Sequence, residues 1–225
     1  MKIIFCLPGR EYSREFLLSW SDLLVQTIKK GHEVLISQQH SSVVHFARAK
    51  CLGGDVLKGA TQKPFQGQVE YDYIMWIDSD IVFNPDDFFK LLESPHDVTA
   101  GSYMMADMRN LCVVKNWDTE YFKTNGTFEF ISPEMLKGVK ELTDERYLKV
   151  SYCGMGWMLI KNGVIEKLDY PWFKSDVETF LGKEGQTIVD LCSEDVSFCR
   201  ALEKAGVQIM LDTTLRVGHL KPIII

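Results

Sequence analysis

Tyr73-Ile74-Met75-Trp76-Ile77-Asp78-Ser79-Asp80-Ile81-Val82-Phe83 is the stretch on which the fold turns. Six of the eight residues from Tyr71 to Asp78 are apolar or aromatic, the composition of a buried strand, and the run stops on carboxylates. Positions i and i+2 of a strand share a face, so Asp78 and Asp80 can converge on one ligand where the strand leaves its sheet. In open α/β sheets ligands bind beyond the carboxyl ends of the strands, which is this location. Hard oxygen donors at such a rim suit Mg²⁺ or Mn²⁺, ions that bridge to phosphate oxygens. A solvated strand-end turn shows the same three-residue pattern, so the flanking sequence has to decide.

Downstream of the acids, Asn84-Pro85 is a cap followed by proline at the first helical position, and Phe88, Phe89, Leu91 and Leu92 continue as a short helix. Upstream, Ile3 to Leu7 reads as a strand stopped by Pro8-Gly9. Ser13 then caps a helix with Phe16, Trp20, Leu23, Leu24, Thr27 and Ile28 on one face, and Gly31 ends it. Glu33 to Ser37 is the next strand, and Ser41 or Ser42 opens a second helix with Val43, Val44, Ala47 and Cys51 turned inward. Residues 53–69 form a loop. Strand and helix alternating three times is the α/β signature.

Further on, Asp97 to Gly101 supplies another strand, and residues 111–117 and 127–131 read as two antiparallel strands. A helix near 133–141, a strand over 152–161 with small residues at its entrance, and a loop at Pro171-Trp172-Phe173 follow. Ser193 caps a helix with Val196, Cys199, Leu202 and Ala205 on one face and Gly206 as terminator, and a last strand covers 207–212. The chain has no repeat and no low-complexity segment.

A length of 225 residues with 46% hydrophobic residues supports one domain with a substantial core. A formal charge of −6 argues against affinity for nucleic-acid backbones, so an anionic ligand must be held locally, by a metal or a few basic groups. The start, MKIIFCLPGREYS, lacks a signal-peptide core, and no stretch approaches the ~18 to 20 apolar residues of a transmembrane segment. The 6 cysteines, without C-x-x-C spacing, read as buried reduced thiols of a cytoplasmic protein. Asn125-Gly126-Thr127 reads as a turn. The apolar end Ile223-Ile224-Ile225 suggests the N-terminal module of a longer polypeptide, with further domains beyond residue 225.

The segments "MWIDSDIVF", "HDVTAGSY", "YCGMGWMLIK" with "YPWF", "SEDVSFCRALEKAG" and "VGHL", in this order and spacing, resemble the GT-A fold of nucleotide-sugar-dependent glycosyltransferases. The resemblance runs from Ile3 to His219. It implies a single GT-A domain over 1–225, with a nucleotide-binding half (1–100) and an acceptor-side half (101–225). Its α/β sheet is mixed but mostly parallel, flanked by helices, with a small antiparallel sheet beside it. It makes Asp80 a direct metal ligand, with Asp78 turned to the ribose or to the metal's waters, Ser79 beside the nucleotide, and His219 completing the metal site. A nitrogen ligand tilts the choice towards Mn²⁺ over Mg²⁺. Pro8, Gly9 and Arg10 would lie beside base and ribose, and Arg48 would be the basic contact to the nucleotide. Where the family usually reads Ala-Arg-Asn this chain has Ala47-Arg48-Ala49.

On the acceptor side, the resemblance makes Asp195 the general base. Gly154 and Gly156 would allow close approach of the backbone, and Trp157, Trp172 and Phe173 would wall the sugar. The implied activity moves a sugar from a UDP-sugar, then GDP- or dTDP-sugar in order of preference, to a hydroxyl of a glycan or glycoconjugate with inversion. Blander readings exist: acids at a helix start complement its dipole, and glycine at a strand bend looks the same. Two rivals share the motifs. One is a haloacid-dehalogenase-type phosphohydrolase in which Asp78 attacks phosphorus and Asp80 is acid/base. The other is a sugar-nucleotide-binding module without chemistry.

Overall fold

Alternation along β1 (Lys2–Pro8) divides the interior in two: Ile4 and Cys6 belong to one apolar layer, Ile3, Phe5 and Leu7 to the other. The computed structural model describes residues 1–143 and 145–221, so the Ile223-Ile224-Ile225 end falls outside the described residues. α1 (Arg14–Lys29) starts where Ser13 Oγ accepts from the Phe16 amide at 2.9 Å, and it buries Phe16, Leu23 and Thr27, while Ile28 is exposed. β2 (Glu33–Gln39) and α2 (Val44–Cys51) follow, then β3 (Tyr73–Ile77), β4 (Ile81–Val82), α3 (Pro85–Leu92) and β5 (Val98–Ser102). Pro85 opens α3 as expected, with the Asn84 amide donating to Asp87 Oδ2 at 3.2 Å.

The second half runs β6 (Val113–Val114), α4 (Thr119–Asn125), α5 (Pro133–Thr143), β7 (Tyr147–Val150), β8 (Tyr152–Cys153) and β9 (Trp157–Lys161). β10 (Val177–Leu181), β11 (Thr187–Leu191), α6 (Glu194–Lys204), β12 (Ile209–Arg216) and β13 (Gly218–His219) complete it. The central 7-stranded sheet has the order β2-β1-β3-β9-β5-β12-β7. β9 and β7 run against the other strands, so the sheet is mixed and mostly parallel. β10–β11, β13–β4 and β6–β8 form small antiparallel pairs. This is the α/β architecture expected from the sequence.

Three local expectations are corrected. The region 111–131 is not a pair of strands: Asp118 accepts from the Tyr121 amide at 2.9 Å and Gly126, at φ +70°, ends a helix between them. Of the pairing there remain a bridge between Val114 and Phe130 and two backbone bonds at 2.9 Å, from the Leu111 amide to Ile131 O and from the Ile131 amide to Val113 O. A cap and a left-handed stop override β-propensity there. The second helix begins without a serine cap, and Val43 and Val44 are exposed while Arg48 faces inward. Ser193 occupies the N-cap position of α6, but its hydroxyl donates to Asp195 and caps no backbone amide.

Candidate functional site

The Asp78-Ser79-Asp80 turn sits at the carboxyl end of β3, beside the end of β1. The Asp78 amide donates to Gly156 O at 3.1 Å and the Ile81 amide to Asp78 O at 3.1 Å, which pins the turn over β9. Gly9 presses against it: a Cβ there would lie 2.6 Å from Ser79 Cβ, so only glycine lets the two strand ends close. Pro8 is buried, Gly9 is partly so, and Arg10 is exposed in the adjoining turn.

Arg48 ties the halves of the site together. Its guanidinium, 3% exposed, donates from Nη2 to Asp78 Oδ2 at 3.0 Å and from Nε to Glu194 Oε1 at 3.3 Å, and lies 5.5 Å from the Trp76 ring centroid. Burial works against its charge, and the carboxylates of Asp78 and Glu194 more than offset that, so it stays protonated above its ordinary range. Among the described residues, two polar atoms of this ion pair are buried without a partner: Arg48 Nη1 and Asp78 Oδ1.

The second acid turns to the end of the chain. β4 pairs with β13 so that His219 stands opposite Ile81, and the Leu220 amide donates to Asp80 O at 2.7 Å. Asp80 Oδ2 lies 3.2 Å from His219 Nε2 and accepts from Lys221 Nζ at 2.6 Å. Burial raises the Asp80 pKa, but the bonds from His219 and Lys221 prevail and bring it down to about 2. The bond to Asp80 raises the His219 pKa, against burial. His219 Nδ1 is 2.6 Å from Met104 O, an atom that only accepts, so the proton belongs on Nδ1. Nε2 carries a second proton while it donates to Asp80; in the neutral ring Nε2 has a free lone pair, and the Nδ1–H bond to a backbone carbonyl is how metal-ligating histidines are oriented.

Among the described residues no group of three or more His, Cys, Asp or Glu forms a metal cage. The Asp80–His219 pair therefore fits a cation whose other positions are filled by ligand and water oxygens, the usual way Mg²⁺ and Mn²⁺ sit at phosphates. Lys221, overlooked in the sequence although two residues past His219, is the cation that such an ion would displace from Asp80 Oδ2.

Asp195, at the start of α6, accepts at Oδ2 from the Tyr152 hydroxyl at 2.7 Å and at Oδ1 from the Ser193 hydroxyl and the Val196 amide. Burial first, and then the Asp195 charge, pushes the Tyr152 phenol well above its usual range, so Tyr152 remains a donor. Neither Glu194 as the partner of Arg48 nor Tyr152 as the partner of Asp195 is legible from the sequence, because both contacts are long-range. Gly156 is closely packed: a Cβ would lie 3.1 Å from the Tyr103 hydroxyl and 3.2 Å from Asp78 Oδ2 and Ile81 Cδ1, so these side chains would have to give by a few tenths of an ångström. Gly154 packs on Tyr103 and Cys112. Trp157, Trp172 and Phe173 are 0%, 2% and 2% exposed, so the expected sugar wall is core instead.

No family model matches the chain, and no curated protein does. Among solved structures it resembles A197 from STIV, with 19% identity and a TM-score of 0.55 over 99% of this chain and 87% of that one. That likeness shows a shared fold along the whole chain. The catalytic domain of Drosophila β1,4-galactosyltransferase 7, in complex with xylobiose, is more distant, at 12% identity and TM-score 0.49 over 98% of this chain and 71% of that one. GalNAc-T7, solved with UDP, GalNAc and Mn²⁺, gives 10% identity and TM-score 0.48 over 99% of this chain and 44% of that one.

Proposed function

We propose that the chain is a metal-dependent glycosyltransferase that moves a sugar from a nucleotide-diphospho-sugar, UDP-linked by first preference, to a hydroxyl of a glycan or glycoconjugate. The observation that carries this reading is the placement at the carboxyl end of β3 of Asp78, held by the buried Arg48, and of Asp80, whose Oδ2 lies 3.2 Å from His219 Nε2. Ser79 and the Pro8-Gly9-Arg10 turn adjoin the same strand ends, where the base and ribose would lie.

Asp80 and His219 would hold a divalent cation, which would supply Lewis-acid neutralisation of the departing diphosphate. The chain's own residues do the rest. Arg48 holds Asp78 in place and, through Glu194, fixes the start of α6 against the donor side. Tyr152 and Ser193 orient the Asp195 carboxylate, which takes the proton of the attacking hydroxyl as general base. A single displacement with such a base inverts the anomeric carbon. Free cysteines throughout fit a cytoplasmic setting, where thiols stay reduced.

The test is transfer from a panel of UDP-, GDP- and dTDP-sugars to simple glycosides in Mn²⁺, followed by release of the nucleotide diphosphate and by NMR of the product's anomeric configuration. Asp195→Asn should lower turnover by about 10² to 10⁴ with little change in donor binding. Near-normal turnover of that variant removes Asp195 as the base. A product with the donor's own configuration rules out inversion.

A further inference from the structure

With the expected sugar wall buried, the chain offers another aromatic surface beside Asp195. A cavity of about 170 Å³ lies between β6, α4 and the segment leading into α6, walled by Trp117, Phe128, Phe130 and Tyr152 and edged by Asp190 and Ser193. Its volume is well below the range of about 300 to 1,000 Å³ typical of drug-sized ligands, so it takes a single ring. The pocket and Asp195 share a wall: Tyr152 and Ser193, which line it, are the hydroxyls that hold the Asp195 carboxylate.

Trp117 is clamped in place. Its Nε1 donates to Glu203 Oε2 at 3.0 Å, the Arg200 guanidinium lies 4.8 Å from its ring centroid, and Phe128 meets it edge-on at 4.9 Å. Arg200 is itself tied to Glu178 on β10 at 2.8 Å. A platform held from three sides loses little entropy when a ligand settles on it. Aromatic faces with a few hydroxyl and carboxylate groups at the edge match a pyranose, whose C–H face is apolar and whose rim is a ring of hydroxyls. Asp190 edges the pocket and the Asp195 carboxylate is bonded to two of its lining hydroxyls, while Arg200 Nη1 is engaged by Glu178 and its Nε is buried, so a sugar carrying its own carboxylate would be repelled.

We propose that this pocket is the acceptor subsite and that it takes the terminal ring of a neutral glycoside, with Trp117 as the platform. The inference rests on the glycosyltransferase reading for the word acceptor, but the binding it asserts can be measured alone. In ¹H–¹⁵N spectra each of the 5 tryptophans gives one indole resonance, and Trp117→Phe identifies that of Trp117 by its loss. Titration with the methyl glycosides of glucose, galactose, xylose and N-acetylglucosamine should move the Trp117 resonance saturably for at least one of them. Methyl glucuronide should leave it in place. Read instead from the backbone amides of Ser193 and Val196, which line the pocket and are present in every variant, Trp117→Ala should weaken the binding by about tenfold, roughly the worth of one aromatic stacking contact, and Trp117→Phe should keep most of it.

Stabilisation by UDP with Mn²⁺ should be the same in both variants, which also reports that they fold. If no neutral glycoside moves the Trp117 resonance while UDP with Mn²⁺ still binds, the subsite is wrong and the proposed function stands. If glycosides bind there and no nucleotide sugar binds anywhere, the subsite stands and the proposed function falls. Equal binding of the glucuronide overturns the assignment to neutral sugars.

Discussion

Arg48 shows what a single side chain can decide. An arginine on the inward face of a helix breaks the apolar pattern, and the structure explains it: one guanidinium spans Asp78 and Glu194, 146 positions apart for the latter. Lysine keeps the charge but has no planar fork to reach both acids. Arg48→Lys should therefore lower stability by about 1.5 to 3 kcal/mol, the worth of one charge-assisted hydrogen bond, read as a lower urea midpoint at unchanged slope. An unchanged midpoint would mean that Arg48 does not bridge the two acids. Asp80 and His219 give a pH signature in metal-free buffer. The folded Asp80 pKa of about 2 lies below its ordinary 3.8, so its contribution is complete above that value and is lost as pH falls towards 2. The His219 pKa is raised above 6.5, so its contribution is complete below 6.5 and fades as pH rises through the folded value. Asp80→Asn should flatten the acid-side fall in Tm between pH 4 and 2. An identical acid limb in wild type and variant would contradict the pairing. Asp78 and Asp80 were legible in the sequence because they stand just past an apolar run, and His219 only through the resemblance of the "VGHL" segment. Glu194, Tyr152 and Lys221 were not, since their roles depend on which distant residue the fold brings to them.

Among the elements, those with strong local signals were the ones the sequence announced. The strand from Tyr73 to Ile77 is an uninterrupted apolar run, and α1 carries both its Ser13 cap and its glycine stop. The segment 111–131 misled because Val113, Val114, Phe128 and Phe130 have the composition of strands, whereas Asp118 and Gly126 punctuate a helix between them. The β10–β11 hairpin escaped notice because Val177, Leu181, Val189 and Leu191 project apolar side chains into solvent, against the usual alternation. β8 and β9 illustrate a tighter constraint. A Cβ on Gly154 would lie 2.0 Å from the Tyr103 hydroxyl and 2.7 Å from Cys112 Sγ, and Tyr103 also receives the Gly156 amide at 3.2 Å. Gly154→Ala should thus overpack the strand entrance and cost about 1 to 3 kcal/mol, visible as a lower Tm together with weaker nucleotide binding, because Gly156 backs Asp78. Wild-type stability in that variant would show that Tyr103 and Cys112 yield without cost.

At the scale of the whole molecule, the sheet order brings the ends of β1 and β3, the start of α6 and the β13 segment to one edge, although they are scattered from Pro8 to His219. The α/β class was readable from the alternation of strands and helices. The closing of that edge was not, because it depends on the two-residue β4–β13 pairing, too short to leave a pattern. The same edge makes the central claim accessible to one measurement: the Tm of wild type and Asp80→Asn with UDP, in Mn²⁺ and in chelator. Binding to the folded state at a hundredfold over Kd adds about 2.7 kcal/mol, roughly 5 to 10 °C for a chain of this size. That shift is expected for wild type in Mn²⁺ alone, and none in chelator or in Asp80→Asn, which should otherwise melt as a folded protein. A shift of equal size in chelator, or in Asp80→Asn with Mn²⁺, would contradict it.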